Sequence, residues 1–467
     1  MTEIHLHNTL TGKKEKFTPI NNGEVSIYSC GPTVYDYAHI GNFRTFVFGD
    51  ILRRMFAYNG YTVNQVMNIT DVDDKTIKKS QQEKISLSAV TRKYEDLFLQ
   101  DLQSLNILRA SKTPRATESI ALMVDLIEKL LEKGIAYQTS DGIYFDISKS
   151  EDYGALAHLN KQTINKERVA SDEYDKENAK DFALWKLHSP EDGEVFFDAP
   201  FGRGRPGWHI ECSAMSMENL GETFDIHTGG VDLIFPHHTN EIAQSQAATG
   251  KKFVNYWVHG EFITVEGEKM SKSLGNIFTL SDLKARKIHP LAFRYWLLTS
   301  HYRTPANFTW ESLSGAQTAY LKLKQTTTNL KTEVSKGIFD IEREIFDKNK
   351  KEFLECINDD LNIAKAIGLI WQILKEKEMN EKTKLELILD FDKVLGLKLS
   401  ENFQGQSLEE NDVPEHVLEM KKEHDEARAS KNFQKSDELR QEIEREGYSL
   451  EDKNGESLIR KHLNQNL

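Results

Sequence analysis

Cysteine is scarce in this chain. Only Cys30, Cys212 and Cys356 occur in 467 residues, and no C-x-x-C pair exists. A disulfide framework is therefore excluded as the basis of the fold, and a reducing compartment is expected. No stretch approaches the ~18 consecutive apolar residues of a membrane span. The N-terminus, Met1-Thr2-Glu3-Ile4-His5-Leu6, lacks the basic segment and apolar run of a secretory signal. These absences predict a cytoplasmic protein with no membrane contact. An excess of positive charge is missing too, because the net charge is -13. DNA is not an expected partner, and any RNA contact must gather basic groups locally on an acidic protein. Internal repeats, coiled-coil heptads and low-complexity runs are absent.

What is present describes a folded, well-solvated protein of two to four domains, with 39% hydrophobic and 28% charged residues. Residues 25–30 predict a short buried strand, and Gly31-Pro32 turns the chain. Residues 37–58 carry the helical pattern Phe46, Phe48, Ile51, Leu52, Met55, stopped by Asn59-Gly60, and a second strand is predicted over 62–69. This βαβ unit implies a doubly wound, Rossmann-like α/β core with a parallel sheet. A helix is predicted over 118–133 with Gly134 at its end, and residues 136–147 predict a hairpin around Asp141-Gly142. After about residue 313 long amphipathic helices dominate, one of them opened by Asp359-Asp360-Leu361-Asn362, with no strand signal until near the end.

Two segments carry the chemistry. Ala38-His39-Ile40-Gly41-Asn42 lies where strand gives way to helix, and the first turn of a helix offers unpaired N–H groups and a positive dipole end to a phosphate. His39 and Asn42, three apart, are expected on one helix face as hydrogen-bond donors. Gly41 leaves room for a ligand against the backbone. An ordinary helix start with a polar first turn reads the same way. Glu268-Lys269-Met270-Ser271-Lys272-Ser273-Leu274-Gly275-Asn276 is a loop rich in phosphate donors, or else a solvated lysine loop.

Together these segments resemble the two hallmarks of class I aminoacyl-tRNA synthetases, a His-Ile-Gly-His type motif and a Lys-Met-Ser-Lys-Ser loop. Asn42 stands where the first motif has its second histidine, a departure that looks like the cysteine-specific branch. The finer resemblance, to cysteinyl-tRNA synthetases, runs almost end to end. It rests on Cys30-Gly31-Pro32-Thr33-Val34-Tyr35-Asp36, Asn68-Ile69-Thr70-Asp71-Val72-Asp73-Asp74-Lys75, Pro206-Gly207-Trp208-His209-Ile210-Glu211-Cys212-Ser213 and Asp232-Leu233-Ile234-Phe235-Pro236-His237-His238-Thr239-Asn240-Glu241.

The resemblance implies a cysteine–tRNA ligase activity with ATP, L-cysteine and tRNA(Cys) as partners. It implies one zinc held by Cys30, Cys212, His237 and Glu241, with Mg²⁺ arriving with ATP. His39, Asn42, Lys269 and Lys272 would be catalytic, with Gly41 and Ser271 completing the ATP site. Gly31, Thr70, Trp208 and Asp232 would hold the substrate cysteine. From the residues alone, His237 and Glu241 are four apart and face one way on a helix, and all four side chains are good zinc ligands. No spacing rule pairs Cys30 with Cys212, and by themselves each reads as a buried free thiol. Cys356 reads as packing.

Gly202-Arg203-Gly204-Arg205-Pro206-Gly207 fits G-x-G-x-x-G, with Asp225 beyond it. The stretch before it is not a buried strand, and Pro206 removes an amide from the would-be phosphate loop, so a dinucleotide site is not expected. The expected organisation is a first catalytic half at 1–115, a connective insertion at 116–202 and a second catalytic half at 203–251. A stem-contact region at 252–312, a helical bundle at 313–404 and an anticodon-binding module at 405–467 follow. Residues 401–467 hold 10 Lys and Arg against 17 Asp and Glu, so base reading there must be local. Two rivals share parts of this pattern: a ligase joining cysteine to an amino sugar, and a zinc-bearing RNA-binding protein without catalysis. The segment beyond 313 speaks against the first, and the intact loop with His39 against the second.

Overall fold

The computed structural model describes residues 2–159, 181–271, 274–401, 413–430, 432–446, 448–453 and 456–461. Contacts divide the chain into two compact units, Met1–Ser400 and Glu401–Leu467.

The first unit opens with a small antiparallel hairpin, β1 (His5–Asn8) and β2 (Lys13–Lys16). The main sheet layer is then built from β3 (Glu24–Ser29), α1 (Ile40–Tyr58) and β4 (Thr62–Met67). α2 (Asp74–Glu83) and α3 (Leu87–Ser104) follow, and β9 (Phe224–Gly230) and β10 (Val254–Gly260) complete the sheet. Its order is β10-β9-β3-β4, and every pair is parallel. All seven residues of β9 are buried, as expected of a strand covered on both faces. The βαβ reading from sequence holds, and the order reverses direction between β3 and β9. Ligands of open α/β sheets bind at such a switch point, beyond the carboxyl ends of the strands. Cys30, Thr70 and Asp232 all lie just past those ends.

Between the halves, α4 (Ile120–Glu132) leads into an antiparallel sheet of β5 (Ala136–Gln138), β6 (Gly142–Phe145), β7 (Phe182–Leu187) and β8 (Gly204–Pro206). The hairpin expected around Asp141-Gly142 is β5–β6. Residues 160–180 of the expected insertion lie outside the described residues. The G-x-G-x-x-G stretch forms β8 and the cap of α5 (Trp208–Leu220). A Cβ on Gly204 or Gly207 would strike the Lys186 or Ala183 carbonyl, so these glycines serve close strand approach.

α6 (Thr239–Thr249) precedes β10. Beyond it, β11 (Ile263–Val265), β12 (Glu268–Lys269) and β13 (Ala306–Phe308) form a small sheet around α7 (Leu280–Ala285) and α8 (Pro290–Leu298). The helices α9 (Trp310–Lys336), α10 (Arg343–Ile357), α11 (Ile363–Lys375) and α12 (Glu381–Leu395) make the bundle. α11 starts one residue after its Asn362 cap, as read from sequence. One apolar cluster runs from β3 and α1 through α8 into the bundle, including Ile27, Phe43, Phe293, Tyr320 and Phe391. Cys356 is buried within it, a packing residue.

The second unit consists of α13 (Glu415–Ala429), α14 (Phe433–Arg445) and the hairpin β14 (Tyr448–Lys453) and β15 (Glu456–Lys461). Val413, Val417, Ile443, Tyr448, Leu450 and Ile459 form its own core.

Candidate active site and metal centre

Helix α1 begins later than its apolar pattern suggests. His39 is extended, at φ -100° and ψ 167°, and caps the helix from outside it. The Asn42 amide donates to His39 Nδ1 at 3.3 Å, and the His39 amide donates to Asn42 Oδ1 at 3.0 Å. The expectation that both side chains lie on one helix face is therefore corrected. Reciprocal capping is more favourable than extending the helix through His39, because it satisfies two otherwise unpaired amides.

The two hallmark segments meet in space. The Ile40 amide donates to the Phe278 carbonyl at 2.8 Å, and His39 forms a bridge with Thr279. A Cβ on Gly41 would run into Met270 Cε, the side chain at the heart of the second segment. Lys269 ends β12 and is exposed. The Ser271 amide donates to Asn276 Oδ1 at 2.8 Å, and Asn276 Nδ2 donates back to the Lys269 carbonyl at 3.2 Å, closing the loop on itself. Lys272 and Ser273 lie outside the described residues.

The four residues of the proposed ligand set come from four places. Cys30 follows β3, Cys212 sits in the second turn of α5, His237 in a wide turn over Ile234–His238, and Glu241 in the first turn of α6. Their ligand atoms all lie within 4.8 Å of one another. The two Sγ atoms are 3.9 Å apart, Cys30 Sγ is 4.0 Å from Glu241 Oε1, and His237 Nε2 is 3.1 Å from the same oxygen. Cys30 is half-buried, and the other three are buried.

The electrostatics of the cluster suit a cation. Burial, then the neighbouring Cys212, push the Cys30 thiol well up. A hydrogen bond from Cys30 outweighs burial at Cys212 and brings it down to about 6. Burial opposes ionisation of Glu241, yet the His227 and His237 imidazoles hold it at about 2. Burial also opposes charge on His237, but Glu241 and Cys212 hold its proton on up to about 10. Two anions thus converge on one protonated ring, and a divalent cation fits where that proton sits. Sulfur, nitrogen and carboxylate oxygen together form a donor set suited to zinc.

Sequence reasoning missed an outer layer of imidazoles. His227 Nε2 lies 3.0 Å from Glu241 Oε2, and His238 Nε2 lies 3.3 Å from Cys30 Sγ, so Cys30, His227, His238 and Glu241 form a second, overlapping cluster. His209 Nδ1 meets His237 Nδ1 at 2.9 Å, and His238 Nδ1 meets His259 Nε2 at 2.8 Å. The signal was available: five of the 15 histidines fall between positions 209 and 259.

The substrate-pocket residues lie around this cluster. Trp208 is 40% exposed and stacks on His237 with centroids 4.2 Å apart, so it is not a core residue. Thr70 is buried and pairs through its backbone with Pro32 and Val34. Gly31 lies so close to the Asn68 carbonyl that a Cβ would overlap it. Asp232 is exposed in the turn after β9.

With this geometry in view, comparison with known proteins is specific. Residues 16–318 match the family described as tRNA synthetases class I (C) catalytic domain. The cysteine–tRNA ligase of Brachyspira hyodysenteriae is 45% identical, over 97% of this chain and 98% of that protein. The cysteine–tRNA ligase of Methanococcus maripaludis is 40% identical over 99% of this chain and 100% of its own length. Solved structures share the fold at lower identity. The methionyl-tRNA synthetase of Mycobacterium tuberculosis, in complex with methionyl-adenylate, gives a TM-score of 0.57 at 16% identity, over 80% of this chain and 90% of that one. A LeuRS from Agrobacterium radiobacter, in a ternary complex with tRNA and LeuAMS, gives 0.58 at 11%, over 82% and 85%. With a matching catalytic domain and relatives aligned over nearly their whole length, the chain belongs to the cysteine–tRNA ligase family of class I tRNA synthetases.

Proposed function

We propose that this chain activates L-cysteine with ATP and transfers it to the 3′ end of tRNA(Cys), with zinc at Cys30, Cys212, His237 and Glu241 selecting the substrate thiol. The observation that carries the reading is the convergence of two thiols, an imidazole and a carboxylate beyond the strand ends of a class I catalytic domain.

In the first step the cysteine carboxylate attacks the α-phosphorus of ATP, the bond to the bridging oxygen breaks, and pyrophosphate leaves with that electron pair. The protein's task is to position the reactants and stabilise phosphate charge. His39, Gly41 and Asn42 at the start of α1, and Lys269, Ser271 and Lys272 in the loop, are the groups assigned to the phosphates. Mg²⁺ accompanies ATP. Gly31, Thr70, Trp208 and Asp232 are assigned to the amino acid. In the second step a hydroxyl of the terminal adenosine attacks the cysteinyl carbonyl, and AMP leaves. The segments at 252–312 and 405–467 are assigned to the acceptor stem and the anticodon. A cytoplasmic setting accords with ligand thiols that must stay reduced.

Cysteine and serine differ by sulfur for oxygen, and shape alone separates them poorly. Discrimination of roughly 10⁴–10⁵ corresponds to about 5.5–7 kcal/mol. Zinc supplies a thiophilic Lewis acid that binds a thiolate near neutral pH and an alkyl hydroxyl far more weakly. Pyrophosphate exchange with cysteine and with serine, run beside metal analysis, tests the reading. Expected are one zinc per chain, cysteine-dependent exchange, and transfer of cysteine to tRNA but not to an amino sugar. Cys212→Ser should lower zinc content and weaken cysteine binding much more than ATP binding. A zinc-free enzyme that still prefers cysteine by several orders of magnitude would end the metal proposal.

A further inference from the structure

Glu211 carries a carboxyl group with 0% exposure. Its Oε2 accepts a hydrogen bond from Thr70 Oγ1 at 2.7 Å, while Oε1 has no hydrogen-bond partner among the described residues. No lysine or arginine forms an ion pair with it among those residues. Burying a carboxyl group with one oxygen unpaired costs stability, whereas an apolar side chain of similar volume carries no such desolvation cost of its own. A residue that costs stability where it stands points to a role other than stability.

The hydrogen bonds around it run in one direction. The Gly31 amide donates to Asn68 Oδ1 at 2.8 Å. Asn68 Nδ2 donates to Thr70 Oγ1 at 3.1 Å, and Thr70 Oγ1 donates to Glu211 Oε2. Every link beyond Gly31 is buried, with Asn68 at 2% and Thr70 at 1% exposure. The chain starts on the residue after Cys30 and ends on the residue before Cys212. It therefore ties the end of β3, through the segment after β4, to the first turn of α5. Those are the two elements that deliver the sulfur ligands, which are 182 positions apart in sequence and share no backbone hydrogen bond of their own.

We propose that Glu211 is a positioning residue for the metal centre, holding Cys212 in place against Cys30 through Thr70, Asn68 and Gly31. The inference rests on the metal reading above and adds to it a group that touches neither metal nor substrate. Hydrogen bonds one layer behind a metal ligand fix its approach, and their loss typically costs about 10–100-fold in metal affinity. Glu211 acts one step further back, through the backbone it shares with Cys212. Its carboxylate can be replaced by an amide without loss of the acceptor that Thr70 requires, but not by an alkyl group.

The test measures zinc and Co²⁺ affinity of metal-stripped full-length protein by competition with a chromogenic chelator. It compares wild type, Glu211→Gln, Glu211→Leu, Thr70→Val and the double variant Thr70→Val/Glu211→Leu. Melting of each metal-free protein is followed in parallel. Glu211→Leu should bind zinc at least about tenfold more weakly while its metal-free form melts no lower than wild type. Glu211→Gln should stay within about threefold of wild type. Thr70→Val should lose as much as Glu211→Leu, and the double variant no more than either, because both break one relay. Wild-type affinity in Glu211→Leu, or losses that multiply in the double variant, would overturn the inference while leaving the metal reading intact. A wild-type chain that binds no zinc would overturn both.

Discussion

At the scale of single residues, the site depends on close approach. Gly31 sits where any Cβ would overlap the Asn68 carbonyl, which is backbone and cannot swing aside. Gly31→Ala must therefore move the end of β3, and Cys30 with it. Overpacking of this kind costs about 1–3 kcal/mol. The expected outcome is a folded but less stable protein that takes up zinc poorly and shows a raised KM for cysteine in pyrophosphate exchange. Unchanged zinc content and KM would show that the strand end can shift without consequence. The sequence made part of this site legible. His237 and Glu241 are one helical turn apart, and their side chains do meet. Cys30 and Cys212 could be joined only by resemblance, because their meeting depends on how β3, β9 and α5 pack. The histidines of the outer layer, His209, His227, His238 and His259, could be counted in the sequence but not assembled into a site, because they come from four elements or turns and spacing rules see one element at a time.

At the scale of elements, capping and charge decide where segments begin and how they hold together. The start of α1 was misread by three residues because an apolar period marks the buried face of a helix but not its cap. Met270 of the Lys-Met-Ser-Lys-Ser segment lies against Gly41, next to that cap. Lys272→Ala should slow cysteine-dependent pyrophosphate exchange by roughly 10²–10³, the usual cost of losing one donor to charge that develops in a transition state, with cysteine binding little changed. An unaltered exchange rate would remove Lys272 from the phosphate site. A different element contact is open to a pH test. Asp74, in the first turn of α2, pairs with Arg205 of β8 and Lys186 of β7. Burial raises its carboxyl, but Arg205 and Lys186 outweigh burial and hold it below the usual range. A depressed carboxyl stabilises the fold above its unfolded value and loses that contribution as pH falls through the folded value. The side chain is largely exposed, so the pair contributes about 1 kcal/mol or less. Wild type and Asp74→Asn should thus differ by a constant small margin in melting from pH 8 to about 5, and converge below about pH 4. A margin that persists at low pH would mean that the contact is held by something other than charge.

At the scale of the whole chain, the bundle shares one apolar core with the sheet domain. Arg294 of α8 is fully buried and donates to Asp50 Oδ2 of α1 at 2.6 Å and to the Leu395 carbonyl at the end of α12 at 2.7 Å. Trimming the bundle would take the Leu395 acceptor from this buried guanidinium and uncover the Arg294–Asp50 pair, so the change would be felt in α1 as well. The change of texture near residue 313 therefore marks a change of architecture within one compact unit, a distinction that composition does not carry. Residues beyond Ser400 have a separate small core and form their own unit. Every group assigned to activation precedes residue 277, and the tRNA-reading role is assigned to 405–467. Deleting 405–467 should leave pyrophosphate exchange and zinc content close to those of the full chain. Charging of tRNA should fall, with kcat/KM reduced about 30-fold or more, the equivalent of one lost hot-spot contact of ~2 kcal/mol. Because this segment carries 17 acidic and 10 basic residues over 401–467, its contribution should come from few, local contacts, and the deficit should show in KM for tRNA more than in kcat. A truncated protein that stays folded and charges tRNA with full efficiency would show that the acceptor end alone is read.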